Sequence, residues 1–328
     1  MSRYARQIAV PGFGIAAQER LQRASALVVG AGGLASPVLQ YLAGAGVGHL
    51  CVVDPDRVET GNLHRQTLFA MADVGRPKVA AAAAAIRALN PEARVTPVQA
   101  RLDPETVLTL ADDADVVLDC ADSFAVSYIL SDHCHRTGQP LVSASAVGVE
   151  GYAGAFCAVA PSLRAVFPDL PARMGSCAGD GVLGPLLAVL GGVQAQMALA
   201  LLAGLDPSPL GRLVSYDAQA MRFGGFGFLG APEPPVAHRF IAPAAIRPED
   251  YVVDLRGPSE AALIRPDARR LSAKDLAQTT TALPDPGQRA VLCCRSGLRA
   301  WGAAHHLSAR WGGEITLVAT GDPNGETP

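Results

Sequence analysis

The sequence predicts an α/β fold, a doubly wound and largely parallel sheet with a second, smaller α/β unit behind it. Three observations carry this. Short apolar strands alternate with helices over roughly the first half of the chain, the pattern of helices packed on both faces of a parallel sheet. A proline-rich stretch then precedes a short segment with further apolar strands. Finally, 328 residues, 49% of them hydrophobic and only 17% charged, can bury a large core and are too apolar for a disordered chain.

The elements follow in order. Residues 27–29 form a short apolar strand of the buried, parallel kind. Gly30, Gly32 and Gly33 make a turn, and a helix continues to about Gly44. The run HLCVVD is a second strand ending at Asp54. Residues 78–89 are an alanine-rich helix, stopped by Asn90 and Pro91. RVTPVQA reads as a third strand and ADVVLDC as a fourth, ending at Cys120. A helix over residues 123–137 and a strand QPLVSASA complete the alternation.

After Phe228 the texture changes. Pro232, Pro234, Pro235 and Pro243 lie in the next nineteen residues, so 229–247 is expected to be a linker. The expected domains are therefore 1–228 and 248–328. The second opens with YVVDLR and contains RAVLCC.

Composition also excludes classes of function. A net charge of −3, from 27 basic and 30 acidic residues, lacks the basic excess of a nucleic-acid binder. Residues 181–205 carry no charge and are long enough to span a bilayer, but Pro185, Gln194, Gln196 and several glycines favour a buried core helix, with no membrane association. The seven cysteines are odd in number and scattered, and no secretory signal is visible, so reduced thiols and a cytoplasmic location are expected. No C-x-x-C occurs, which leaves no visible zinc site.

A glycine-rich turn between strand and helix brings backbone amides close to phosphate, and an acidic residue ending the next strand can hold ribose hydroxyls. Asp54 follows Gly33 by 21 positions, near the expected spacing of about 20. This much fits NAD and ATP equally. Arg65 and Lys78, just beyond Asp54, are less suited to NAD. Splitting a triphosphate needs cations over the departing pyrophosphate and a carboxylate for Mg²⁺. Asp122 is the candidate carboxylate, with Asp119 as the alternative. There is no Walker-type phosphate loop.

The motifs GAGGLAS, VVDPDRVETGNLHRQ, GRPK, LDCADS and CAGDGVLGP, in this order over residues 3–225, resemble the ThiF/MoeB/HesA adenylyltransferases, relatives of the ubiquitin-activating enzymes. The resemblance implies a Rossmann-like domain, ATP with Mg²⁺, a homodimer, and a small ubiquitin-like sulfur-carrier protein ending in Gly-Gly as partner. By matching motif, Gly30, Gly32 and Gly33 lie at the phosphates, Asp54 and Asp56 in the nucleotide site with Asp54 on the ribose, and Asn62 and Arg65 on the phosphates. Lys78 then stabilises triphosphate charge, Asp122 holds Mg²⁺, and Arg6 reaches the neighbouring subunit's ATP site. Many members bind zinc through two C-x-x-C pairs. Here Ser162 and Ala165 stand at the first pair and the second is absent, so zinc is not expected.

Two thiols are candidates for sulfur chemistry. Cys177 matches a cysteine that some members join covalently to the activated carrier, and the alternative is an inert loop residue. Cys294, in VLCCRSGLRA, resembles the active loop of rhodanese sulfurtransferases. The six residues from Cys294 to Arg299 are expected to wrap amides around the sulfur and lower its pKa, with Cys293 a buried strand-end thiol. The resemblance implies thiosulfate or a cysteine desulfurase as sulfur donor. Two other readings remain open at this stage: an NAD-dependent oxidoreductase, and a non-catalytic binding protein of the same descent.

Overall fold

A computed structural model describes residues 3–170, 181–234, 238–278 and 281–321. Two sheets organise them. The first has eight strands in the order β3-β2-β1-β4-β5-β6-β7-β8: β1 Ser25–Val29, β2 His49–Val53, β3 Arg94–Val98, β4 Val116–Asp119, β5 Pro140–Val147, β6 Glu150–Cys157, β7 Arg212–Asp217 and β8 Arg222–Gly227. Strands β1–β5 pair in parallel, whereas β6, β7 and β8 extend the sheet antiparallel. Order reverses between β1 and β4, which creates the crevice at strand C-termini where such folds bind ligands.

The helices are α1 Ala5–Ile8, α2 Gly14–Arg23, α3 Ala35–Ala45, α4 Lys78–Leu89, α5 Thr106–Leu110, α6 Phe124–Thr137, α7 Leu163–Val166, α8 Gly184–Ala203, α9 Ala273–Ala277 and α10 Leu298–Ser308. Their limits follow local chemistry. Pro37 sits in the first turn of α3, where no helical N–H is lost. Helices α3, α6 and α8 each stop at a left-handed glycine, Gly46, Gly138 and Gly204. The C-cap of α4 is Asn90, whose side-chain amide donates to the Ala43 carbonyl at 2.8 Å and to the Tyr4 hydroxyl at 3.0 Å, tying the N-terminal segment to the ends of α3 and α4.

The charge-free stretch is the core helix α8, with Leu186, Leu190, Ala195 and Ala198 fully buried. Gln194 has no exposed surface. Its amide donates to the Asp119 and Val142 carbonyls at 2.7 and 2.9 Å and accepts from the Cys120 thiol. A polar residue inside an apolar helix is thus fully satisfied and pins α8 to β4 and β5.

The second sheet has the order β11-β10-β12-β13-β9, all parallel: β9 Arg239–Phe240, β10 Tyr251–Asp254, β11 Arg269–Arg270, β12 Ala290–Cys294 and β13 Ile315–Ala319. Strand β9 lies inside the stretch read from sequence as a linker. Its prolines flank the strand rather than interrupt it, and β9 is an edge strand, where proline neighbours are tolerated.

One apolar core crosses between the sheets. Leu27, Tyr128 and Ile129 of the first unit pack with Phe240, Leu292, Cys294 and Trp301 of the second. Arg164 braces this junction. It pairs with Asp132 through two bonds of 2.6 and 2.9 Å, covers the Tyr128 ring at 4.4 Å, and faces Trp301 at 5.5 Å.

Candidate active site

The glycine turn follows β1 directly. Gly30 has φ +94°, and a Cβ there would stand 2.6 Å from the Cys120 carbonyl oxygen, so only glycine lets β1 turn against the end of β4. Gly33 is needed for packing, since a Cβ would strike the Leu187 side chain and lie 3.2 Å from the Arg65 carbonyl. Gly32 differs. Its Cβ would find no atom nearer than 3.8 Å, and that atom is the Gln66 amide nitrogen. The open face of the turn is therefore at Gly32.

Asp54 closes the next strand and is buried. Its two carboxylate oxygens accept from the Ala31 amide at 2.7 Å and the Asp56 amide at 2.8 Å. These bonds fix the carboxylate beside the glycine turn. Burial raises its pKa, and Lys78 opposes the rise.

Lys78 begins α4, is 6% exposed, and donates to the Asp56 carboxylate at 2.8 Å. Burial would lower its pKa, but Asp54, Asp56 and Asp122 together outweigh burial and raise it. One buried ammonium among three carboxylates stays charged. Arg65 donates to Asn62 Oδ1 at 2.9 Å, so these two side chains form a single polar unit. Asp122 is exposed in the loop after β4.

Asp119 does not compete with Asp122 for a ligand. It has no exposed surface, accepts from the Ser143 hydroxyl at 2.7 Å and the Ala121 amide at 3.2 Å, and burial lifts its pKa to about 6. Among the described residues no three His, Cys, Asp or Glu side chains form a ready metal cluster. A divalent ion beside Asp122 would need ligands from outside this set of side chains, as a hard cation bound through one or two carboxylates usually does.

Arg6 is exposed on α1, and the described hydrogen bonds of this cluster do not include it. Cys177 lies outside the described residues. At the first of the two absent C-x-x-C positions, Ser162 donates its hydroxyl and its amide to the Glu233 carboxylate at 2.6 and 2.7 Å and accepts from the Ala165 amide. Glu233 thereby straps the chain after β8 to the start of α7.

Cys294 ends β12. Its sulfur accepts from the amides of Gly297 at 3.1 Å and Ala300 at 3.4 Å, so the loop does wrap the sulfur. The expected lowering of its pKa is not found. Burial is the largest influence and pushes the thiol up, while the amides and the Arg299 charge offset it only in part. The side chain has no exposed surface. Arg299 is itself taken by the Glu260 carboxylate and the Leu255 carbonyl. Cys293 is fully buried at the strand end, and burial pushes its thiol up to about 12.

Sequence reasoning passed over Gln66. It is 4% exposed, its Oε1 is a buried side-chain atom with no hydrogen-bond partner, and its amide nitrogen lies toward Gly32 of the glycine turn. Its place directly after Arg65 was the available signal.

The model of the ThiF family matches residues 4–232. The adenylyltransferase and sulfurtransferase MOCS3 of Bos taurus is 47% identical over 66% of this chain and 48% of its own length. The sulfur carrier protein adenylyltransferase of Thermus thermophilus is 42% identical over 68% of this chain and 85% of its own. The probable adenylyltransferase/sulfurtransferase MoeZ of Mycobacterium tuberculosis is 34% identical over 91% of this chain and 86% of its own. The chain thus spans about half the length of the MOCS3 relative. Among solved structures, E. coli MccB superposes with a TM-score of 0.62 at 21% identity, covering 72% of this chain and 74% of that one, a likeness of fold.

Proposed function

The chain belongs to the ThiF family, and from that premise we propose that it uses ATP to adenylate the C-terminal Gly-Gly carboxylate of a small ubiquitin-like sulfur-carrier protein, preparing that terminus for sulfur. The observation that carries the reading is the buried Lys78 ammonium held among Asp54, Asp56 and Asp122 beside the glycine turn. The three relatives, each named as an adenylyltransferase, agree with it.

In this reading ATP lies along the crevice between β1 and β4. Asp54, fixed by two backbone amides, accepts the ribose hydroxyls. The open face at Gly32 admits the phosphates, and the Gln66 amide nitrogen, which lies toward Gly32, can donate to them. Arg65 and Asn62 bind phosphate oxygens. Asp122 would hold Mg²⁺, which would supply charge neutralisation. The carrier's carboxylate oxygen attacks the α-phosphorus, and the bond to the bridging oxygen breaks. Pyrophosphate leaves with the electron pair, and Lys78 offsets its growing charge. The product is a mixed anhydride, from which AMP departs far more readily than oxide would from a carboxylate. Arg6 acts across a homodimer.

The second unit, a parallel sheet with Cys294 cradled by the amides of its own loop, supports a rhodanese-like sulfurtransferase. Thiosulfate or a cysteine desulfurase would load it. A nicotinamide oxidoreductase would leave Lys78 and its carboxylates without a purpose. The test is pyrophosphate exchange dependent on the carrier. Alongside it, Cys294→Ala should keep exchange and lose thiocarboxylate formation.

A further inference from the structure

Cys294 would have to meet a sulfur donor and an activated carboxyl group, yet its side chain has no exposed surface. The wrapping loop is only part of the reason. Its crown is Gly297, at φ +86°, and two aromatic rings lie against it. A Cβ at Gly297 would stand 2.8 Å from the Phe240 ring and 3.2 Å from the Phe124 ring. These rings meet edge to face, with centroids 5.9 Å apart, and Phe124 also meets Trp301 at 6.3 Å. Phe240 belongs to β9, the edge strand of the sheet that carries Cys294.

Phe124 comes from the other unit. It is the first residue of α6, two positions after Asp122. A third contact comes from the same side. Arg101, beyond the end of β3, packs its guanidinium where a Cβ of Gly321 would be, and the Gly321 amide donates to the Arg295 carbonyl of the sulfur loop at 2.8 Å. The loop is thus pressed against the edge of the first sheet where β3 and β4 end, beside the candidate nucleotide site.

We propose that this docking is a closed state, in which Phe124, Phe240 and Arg101 seal the Cys294 loop, and that this contact over the loop must part for Cys294 to exchange sulfur. The proposal rests on the reading of Cys294 as the sulfur-bearing residue. It also gives the chain a means of separating its two half-reactions. Sealed, the thiol is shielded from donor and solvent, and the burial that keeps it protonated also keeps it unreactive. The seal over the loop is a few edge-to-face contacts and one surface arginine, a small part of the junction, whose shared apolar core and Arg164 brace can stay closed while it opens. The shared loop 120–124 places one wall of the seal next to Asp122.

The test is alkylation of the native full chain with iodoacetamide, read at each cysteine by peptide mass spectrometry. In the unmodified protein Cys294 should react at least tenfold more slowly than in Phe124→Ala. Cys120 and Cys134, buried in the first unit, report unfolding. If Phe124→Ala exposes them, Arg101→Ala decides, because Arg101 is exposed and its loss should raise Cys294 labelling at least threefold without unfolding. The proposal is overturned if Cys294 of the unmodified protein reacts as fast as a free peptide thiol. It is equally overturned if labelling in the folded variants stays at the unmodified rate. Labelling reads accessibility alone, so its outcome is separate from whether Cys294 carries sulfur, which Cys294→Ala addresses.

Discussion

Lys78 and Asp56 form an ion pair of 2.8 Å in which the ammonium is buried and the carboxylate is partly open to solvent. A buried cation held by a carboxylate at the rim of a nucleotide crevice is a charge waiting for a more negative partner. Phosphate oxygens would displace or share Asp56.

Replacing the lysine should therefore abolish chemistry more than binding. Lys78→Ala is expected to reduce the rate of ATP–pyrophosphate exchange by roughly 10²- to 10³-fold, the usual consequence of losing one donor that acts on transition-state charge. Stopped or steady-state exchange with saturating carrier measures this. A loss under threefold would remove Lys78 from the mechanism.

Asp122 should behave differently. Asp122→Asn removes a charge without changing shape, so weaker exchange should be recovered in part by raising Mg²⁺. Titration of exchange against Mg²⁺ checks this, and an unchanged midpoint in the variant would leave the ion without its proposed ligand.

Asp119 sets a stability dependence on pH. Its carboxyl titrates near 3.8 when unfolded and near 6 when folded, with burial as the main cause. The folded state therefore binds the extra proton between these values. Its contribution is fully present below about pH 4 and is lost as pH rises through about 6. Asp119→Asn should lack this step. Thermal melting of both proteins between pH 4 and 8 should show their difference in Tm changing across that window and flat above it. Parallel curves would contradict the assignment.

Glu233 holds Ser162 through two hydrogen bonds across 71 positions of sequence. Glu233→Ala should cost about 1 kcal/mol, since the carboxylate is partly exposed while the Ser162 hydroxyl is buried. Chemical denaturation measures it. An unchanged midpoint would mean the strap contributes nothing to holding the segment after β8.

Much of the first unit was legible in sequence because local chemistry decides it. Residues 78–89 were bounded correctly, with Asn90 and Pro91 as the stop, and the strand ends near Gly30 and Asp54 mark where apolar runs stop. Features that depend on distant partners were not legible. Nothing local to Arg239–Phe240 announces that it pairs with β13. The pKa of Cys294 was misjudged for the same reason. The loop amides that lower it are local in sequence, but the burial that raises it depends on what packs over the loop, and Phe124, which lies against Gly297, is far away in the chain. Gln66 follows Arg65 directly in sequence, but its approach to Gly32 is a property of the fold.

The central claim is that this chain activates a carrier's C-terminus with ATP, and carrier-dependent pyrophosphate exchange tests it most directly. Labelled pyrophosphate should enter ATP when the chain is mixed with ATP, Mg²⁺ and a sulfur-carrier protein ending in Gly-Gly, and not when the carrier is omitted or its last glycine is removed. No exchange with the carrier that serves the chain's own pathway, or exchange of equal rate without any carrier, would contradict the account.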